Sequence, residues 1–238
     1  MDNGKQTVYK RVLLKLSGEA LSAGADGIIN HEYLDEIVSV IKRCMDQGVQ
    51  FGIVVGAGNI WRGRQGGTME HTRADHMGML ATVINALAIQ DAFERADIDA
   101  RVLTAVPIEA FAECYSRNKA VSHLKKGRVV IFGCGMGNPF FSTDTAAVLR
   151  GAEIGADVVL MAKNIDAVYT DDPRKNPEAK KLSQIGYDYI LENHLSAIDT
   201  CAASFAMDNK MCLHIFGLDD SENIYRVITG EKLGTIIK

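Results

Sequence analysis

Residues 12–18 read VLLKLSG, a short apolar run that leads directly into a glycine turn. The same arrangement recurs in residues 51–58, FGIVVGAG, and in residues 129–137, VVIFGCGMG. Short unbroken runs of Val, Ile and Leu are typical of strands that are buried on both faces, as in a parallel sheet. Because parallel strands end at a common sheet edge, the three glycine-rich turns are expected to lie together there.

The rest of the chain alternates between further apolar runs and helical patterns. Strands are predicted over residues 12–16, 51–55, 102–103, 129–132, 158–161 and 211–216, and helices over residues 31–47, 75–94, 117–126, 143–155, 199–208 and 221–229. Asn30 is the expected N-cap of the first helix and Gly48 its stop signal. Strands that alternate with helices predict an α/β fold with a mostly parallel sheet. No linker or repeat divides the chain, so one domain is expected.

Composition and charge disfavour several classes of protein. With 26 Lys plus Arg against 30 Asp plus Glu, the net charge is −4, whereas a general nucleic-acid or membrane-surface binder needs a clustered basic face. No run approaches the roughly 18 apolar residues of a transmembrane helix, and no signal-peptide pattern is present. The five cysteines form no C-x-x-C pair, which disfavours a zinc site or disulfide framework. A cytoplasmic globular protein is therefore expected.

The glycine-rich turns suit phosphate binding. Glycine lets successive backbone N–H groups converge on an anion, and a following helix N-terminus adds a favourable dipole. A single glycine-rich turn often serves only to reverse the chain tightly, without binding a ligand. Three such turns at one sheet edge favour a polyphosphate site. The P-loop sequence and the H-R-D and D-F-G kinase motifs are absent from the sequence. Trp61 stands where a dinucleotide fingerprint starting at Gly56 needs a small residue.

Charged residues stand beside these turns. Lys15 interrupts an apolar strand next to Gly18, where its ammonium group reaches either a phosphate or solvent. Arg62 follows the second turn, and its planar guanidinium suits phosphate oxygens. Asp144 and Asp199 stand at predicted helix starts, where capping is their commonest use.

Five longer stretches occur in order along the chain: YKRVLLKLSGEAL from residue 9, VVGAGNIWRG from residue 54, ADHMGMLATVINALA from residue 74, GMGNPFFSTDTAAVLRGAEIGADVVLMAK from residue 135, and DAVYTDDPRKNP from residue 166. Together they resemble the bacterial uridylate kinases (UMP kinases), a branch of the amino acid kinase family, over nearly the whole chain. The resemblance implies a single amino-acid-kinase domain over residues 1–238, with an acceptor-binding N-terminal part and an ATP-binding C-terminal part. It implies a central, mainly parallel sheet sandwiched between helical layers.

The activity that the resemblance implies is phosphoryl transfer from ATP to UMP, which yields ADP and UDP in pyrimidine nucleotide biosynthesis. Mg²⁺ is expected to accompany ATP, with no metal ligand assigned to the protein. The resemblance also implies a homohexamer, activation by GTP through the region of residues 23–27, and inhibition by UTP. Two alternatives remain open: a family member that phosphorylates a carboxylate or carbamate, and a nucleotide sensor without turnover.

The resemblance assigns individual residues to sites. The catalytic positions are Lys15, Arg62, Asp144 and Asp199. The ATP positions are Lys15, Leu16, Ser17, Gly18, Gly58 and Arg62, with Lys163 or Asn164, Tyr169 and Asp172 on the adenine side. The UMP positions are Ala57, Asp75, Met136, Gly137, Asn138, Pro139, Phe140, Phe141, Ser142 and Thr143. Ala57 and Met136 replace a commoner Gly and Thr, which leaves base selectivity between UMP and CMP open.

These assignments imply a mechanism without a general base, because the attacking oxygen of UMP is already ionised near neutral pH. Lys15, assisted by Arg62, is expected to neutralise charge on the transferred phosphoryl group. Asp144 and Asp199 are expected to orient Lys15 and the water around Mg²⁺. Asp75, at the predicted start of a helix, is expected to accept hydrogen bonds from the ribose hydroxyls.

Overall fold

The strands of the protein form a wide central sheet and a small separate ribbon. A computed structural model describes residues 6–24, 26–61, 67–171, 173, 175–195 and 197–238. The strands are β1 (Arg11–Leu16), β2 (Gln50–Val55), β3 (Ala100–Thr104), β4 (Glu113–Cys114), β5 (Val129–Gly133), β6 (Val158–Lys163), β7 (Val168–Tyr169), β8 (Lys181–Leu182), β9 (Gln184–Ile185), β10 (Leu213–Gly217) and β11 (Thr235–Ile237). Within the described ranges, nine strands pair in the order β4-β3-β5-β2-β1-β6-β10-β11-β9, all parallel except β10 with β11.

Helices cover both faces of this sheet. They are α1 (Gly18–Leu21), α2 (His31–Met45), α3 (His71–Arg95), α4 (Arg117–Lys125), α5 (Thr143–Ile154), α6 (Tyr187–Glu192), α7 (Thr200–Asp208) and α8 (Asn223–Ile228). Successive strand side chains point to opposite faces, so Leu14 packs in the core beneath α2, α3 and α8 while Leu13 packs in the core beneath α4 to α7. This confirms the expected sheet between two helical layers. The part of the chain that the structure describes has no helix long and apolar enough to cross a membrane.

The predicted elements are all present, with shifted ends. Asn30 caps α2 by accepting a hydrogen bond from the Tyr33 N–H at 3.0 Å, as expected. The predicted helix 75–94 instead begins at His71, so Asp75 lies in its second turn rather than at its start. The prediction was wrong here because the first turn of α3 is polar and carries no apolar periodicity. Helices α1 and α6 and the short strands β4, β7, β8, β9 and β11 were not predicted.

Candidate active site

The three glycine-rich turns meet at one edge of the sheet, as the sequence predicts. They follow β1, β2 and β5, which are adjacent and parallel in the sheet. The first two turns touch so closely that a Cβ on Gly18 would lie 2.7 Å from the Gly56 carbonyl oxygen and 2.7 Å from the Gly58 nitrogen. The third turn has left-handed backbone at Gly135 and Gly137, with φ of +54° and +81°. The chain therefore brings three segments of close-packed backbone to the place where a ligand is expected.

Two lysines and one aspartate form a buried cluster beside these turns. Lys15 projects from β1 and Lys163 from the end of β6, and Asp144 lies in the first turn of α5. The Lys15 Nζ lies 3.1 Å from Asp144 Oδ1, and the Lys163 Nζ lies 2.6 Å from Asp144 Oδ2. The Lys15 residue is only 8% exposed, so its alternative interpretation as a solvated strand-end lysine was wrong.

The position of the Lys163 ammonium group was not predicted. The resemblance placed Lys163 as one of two alternatives on the adenine side, whereas the structure brings its Nζ to Asp144 at 2.6 Å and to the Ala197 carbonyl oxygen at 2.5 Å. A signal was present, because Lys163 ends an apolar strand beside a glycine-turn edge much as Lys15 does. In the register of β1 with β6, Lys15 lies opposite Met161, so Lys163 follows two residues later on the same face.

The electrostatics of this cluster favour an anion. Burial alone would raise the pKa of the Asp144 carboxyl group, but the Lys15 and Lys163 ammonium groups outweigh it and hold that pKa below its usual value. Burial lowers the pKa of Lys163, with Asp144 opposing the shift and Lys15 adding to it. The cluster sets two basic side chains against one carboxylate, an arrangement that suits a group that gains negative charge during a reaction.

Asp199 joins the N-termini of two helices beside the cluster. It caps α7 by accepting a hydrogen bond from the Ala202 N–H at 2.9 Å, and it accepts another from the Thr145 hydroxyl at 3.1 Å. The Ser142 hydroxyl donates to Asp199 and accepts the N–H of Asp144 at 3.1 Å, so Ser142 caps α5 at the same point. No hydrogen bond or ion pair joins Asp199 to Lys15 among the described residues. Asp199 is therefore placed to orient the start of α5, and through it Asp144.

A cavity of about 180 Å³ opens between α3 and the second and third turns. Its lining includes six of the residues predicted to bind UMP: Ala57, Asp75, Met136, Asn138, Phe141 and Thr143. The predicted residues Gly137, Pro139, Phe140 and Ser142 belong to the same segment but do not line it. Trp61, Gly78, Met79 and Thr82 line the cavity and were missed. The α3 members follow Asp75 at helical spacing, which is the signal that could have found them.

Helix α3 holds the third turn through polar side chains. The Asp75 Oδ2 accepts the Phe140 N–H at 2.7 Å, and Phe140 itself adopts φ of +69°, which is uncommon for a bulky residue. Two helical turns further along α3, the Thr82 hydroxyl oxygen accepts the Cys134 N–H at 2.9 Å. Asp75 therefore fixes the backbone that follows the third turn in addition to facing the cavity.

A second, larger cavity of about 920 Å³ opens at Lys163, beyond the end of β6. Lys163, Asn164 and Tyr169 line it, which places these three predicted ATP residues around one space. The Asn164 Nδ2 donates to Glu19 Oε2 at 2.8 Å, so its amide group turns away from Asp144. Arg62 and Asp172, which the sequence analysis assigned to ATP, lie outside the described residues, as does Ala25 of the 23–27 region.

Comparison with protein families agrees with this architecture. The family model described as the Amino acid kinase family matches residues 10–217, which include the cluster and all three turns. The chain belongs to the amino acid kinase family. The matched residues of this family member also include Lys163, which lines the larger cavity, and Thr143, which lines the smaller.

Three solved structures that are similar to this amino acid kinase family member are UMP or uridylate kinases. The UMP kinase from Bacillus anthracis is 37% identical with a TM-score of 0.93, over 97% of this chain and 96% of that chain. The UMP kinase from Ureaplasma parvum is 32% identical with a TM-score of 0.91, over 96% of this chain and 98% of that chain. The uridylate kinase from Archaeoglobus fulgidus is 28% identical with a TM-score of 0.74, over 95% of this chain and 99% of that chain.

Proposed function

We propose that this protein is a UMP kinase that transfers the terminal phosphoryl group of ATP to the phosphate of UMP. The observation that carries the proposal is the Lys15–Asp144–Lys163 cluster at a sheet edge where two cavities of different size open. Lys163 lines the larger cavity, and Thr143, next to Asp144 in the chain, lines the smaller. Similarity to UMP kinases from two bacteria over nearly full length supports UMP as the acceptor.

In this proposal ATP occupies the larger cavity and UMP the smaller. Tyr169 and Asp172 lie toward adenine, and the ATP phosphates extend past Ser17 and Gly18 toward Gly58 and Arg62. The UMP phosphate meets the second and third turns, and its ribose meets Asp75. Phosphoryl transfer then requires in-line positioning and neutralisation of charge rather than covalent work by the protein.

The two lysines supply the neutralising charge. Lys15 and Lys163 approach the transferred phosphoryl group from adjacent strands, and Asp144 holds their ammonium groups in fixed positions. This arrangement stabilises the transition state more than the ground state, because the charge it neutralises develops as the bond to ADP lengthens. The UMP phosphate supplies an ionised nucleophile, so the site requires no general base.

The donor set around the cluster fits Mg²⁺ as a companion of ATP. The described residues hold no group of three or more His, Cys, Asp or Glu side chains arranged around a metal ion. Both Asp144 oxygens already face lysines, so we expect the ion to keep water ligands and to bind mainly through ATP phosphates, near Asp144 and Asp199. When bound, Mg²⁺ neutralises charge on the ATP phosphates.

We further propose a cytoplasmic homohexamer that is activated by GTP and inhibited by UTP. The family resemblance suggests this assembly and regulation. Apolar side chains on the outer face of α3 support self-association, since Leu80 is 58% exposed and Ile84 46% exposed. The region 23–27 remains the proposed GTP-linked segment.

Release of ADP by purified protein with ATP and Mg²⁺ tests the proposed acceptor. The panel contains UMP, CMP, dUMP, AMP, aspartate, N-acetylglutamate and carbamate. UMP is expected to give the fastest turnover by at least about tenfold, which corresponds to roughly 1.4 kcal/mol in transition-state binding. Faster turnover with an amino acid or carbamate would identify a different branch of the family, and UMP binding without ADP release would identify a sensor.

A further inference from the structure

A pair of asparagine amides joins α3 to the second glycine turn. Asn85, which is 0% exposed, lies one turn beyond Thr82 on α3. Its Nδ2 donates to the Asn59 Oδ1 at 2.8 Å, and the Asn59 Nδ2 returns a bond to the Asn85 Oδ1 at 2.9 Å. The remaining donors go to backbone oxygens: Asn85 Nδ2 to Gly56 at 2.8 Å and Asn59 Nδ2 to Ile28 at 2.6 Å. Both amides thus have their donors used in one network, which is buried at Asn85 and half-buried at Asn59.

The bond from Asn85 to Gly56 fixes the direction of a neighbouring N–H group. The carbonyl and N–H of a trans peptide point in opposite directions within one rigid plane. With the Gly56 oxygen held on Asn85, the Ala57 N–H in the same plane must point away from that amide. Ala57 lines the acceptor cavity, so the orientation of this peptide determines what its backbone presents to a ligand.

The same network sets the distance between the first and second turns. A Cβ on Gly18 would lie 2.7 Å from the Asn59 Oδ1 and 2.7 Å from the Gly56 oxygen, the two atoms that Asn85 binds. Any shift of these atoms therefore moves the surface against which the first turn packs. Because the first turn is the proposed ATP side and the second the proposed UMP side, the network lies beneath both.

Packing of α3 does not by itself require a polar residue at position 85. The buried residues that follow it on this helix, such as Ala86, Ile89 and Phe93, are apolar. A buried amide that is fully hydrogen-bonded contributes little net stability over an apolar group of similar shape. We propose that Asn85 is a positioning residue for phosphoryl transfer, which acts through Asn59 and Gly56 to hold the second glycine turn against the first. This inference rests on the proposed function of the site.

The test compares Asn85→Leu and Asn59→Ala, singly and together, with Ile89→Ala as the matched control. Ile89 is 1% exposed and belongs to the apolar core on the next turn of α3, so its truncation destabilises the helix without removing a bond to the turns. Each variant is measured for kcat and KM with ATP and UMP, and for thermal unfolding by circular dichroism.

If Asn85 positions the turn, Asn85→Leu lowers kcat about tenfold or more, while Ile89→Ala keeps kcat within about twofold despite an equal or larger loss of stability. The double variant should be no worse than Asn85→Leu alone, because the two amides act as one unit. Equal kcat in Asn85→Leu and Ile89→Ala, or losses that multiply in the double variant, would overturn the inference.

If Asn85→Leu does not fold, Asn59→Ala decides the question, because it leaves the apolar core of α3 intact. A loss of kcat similar to that expected for Asn85→Leu supports positioning, and an unchanged kcat overturns it. A wild-type protein with no turnover of UMP would refute the proposed function and this inference with it. Normal wild-type turnover with unaffected variants would refute the inference alone.

Discussion

Replacing Lys15 by methionine removes one of the two ammonium groups that flank Asp144. Methionine keeps an unbranched apolar stem in a site where only 8% of the lysine is exposed. Breaking a buried ion pair usually costs about 3–5 kcal/mol, because it leaves a charge without compensation. Here Asp144 retains Lys163 at 2.6 Å, and the repulsion between the two lysines disappears. We therefore expect a loss of only about 1 kcal/mol, or roughly 2–4 °C in Tm for a chain of this size.

The effect on catalysis should be much larger than the effect on stability. The Lys15 ammonium is fixed in advance by Asp144 at 3.1 Å, so it neutralises charge on the transferred group without reorganisation. Loss of such a preorganised charge is expected to lower kcat by about 10²-fold or more, which is about 2.7 kcal/mol in activation free energy. KM for UMP should change little, because the interaction forms mainly in the transition state.

The assay is initial-rate ADP release over a range of ATP and UMP concentrations, with unfolding curves for the same samples. Lys10→Met, an exposed position in the same sequence segment, is the matched control for the chemical change and should retain wild-type kcat. Near-normal turnover by Lys15→Met would refute the mechanism, even with UMP as the confirmed acceptor. A fall in the Tm of Lys15→Met well beyond the roughly 2–4 °C expected would show that Lys163 does not compensate Asp144 alone.

Two other predictions concern pH dependence and assembly. Burial lowers the pKa of Lys163, so the charge of this side chain is lost as the pH rises through that lowered value. The kcat of the wild type should therefore decline at a lower pH than the kcat of Lys163→Arg, whose guanidinium stays protonated. Coincident pH–rate profiles for the two proteins would contradict this prediction. Gel filtration with light scattering should give a mass near six times that of the 25.9 kDa chain, and a monomer at micromolar concentration would count against the proposed assembly. UTP should inhibit turnover, and an unchanged rate in the presence of UTP would count against the proposed regulation.

The sequence predicted the parallel core well because its strands are continuous apolar runs. Residues 129–132 and 158–161, for example, coincide with β5 and β6 to within two residues at either end. The two-residue strands β7, β8 and β9 are too short to produce any periodic pattern. The first turn of α3 was missed because its residues, which are mostly polar, give no apolar periodicity.

The site was predictable in its residue types but not in its pairings. The sequence placed Lys15 and Asp144 near a phosphate site, and the structure brings them together. It did not reveal that Lys163 completes the cluster, because that contact depends on β6 being the neighbour of β1, and strand order is not encoded in local patterns. The amide network of Asn59 and Asn85 was invisible for the same reason, since 26 residues separate its members in the chain.

The two lysines lie on one face of the sheet only because β1 and β6 pair with Lys15 opposite Met161. A slip of one residue between these strands would carry Lys163 to the opposite face, away from Asp144, while leaving both strands apolar and able to bury themselves. Enzymatic activity therefore reports whether β1 and β6 have paired in the correct register. A refolded sample in which some chains pair β1 and β6 out of register would regain its secondary structure but not its full turnover.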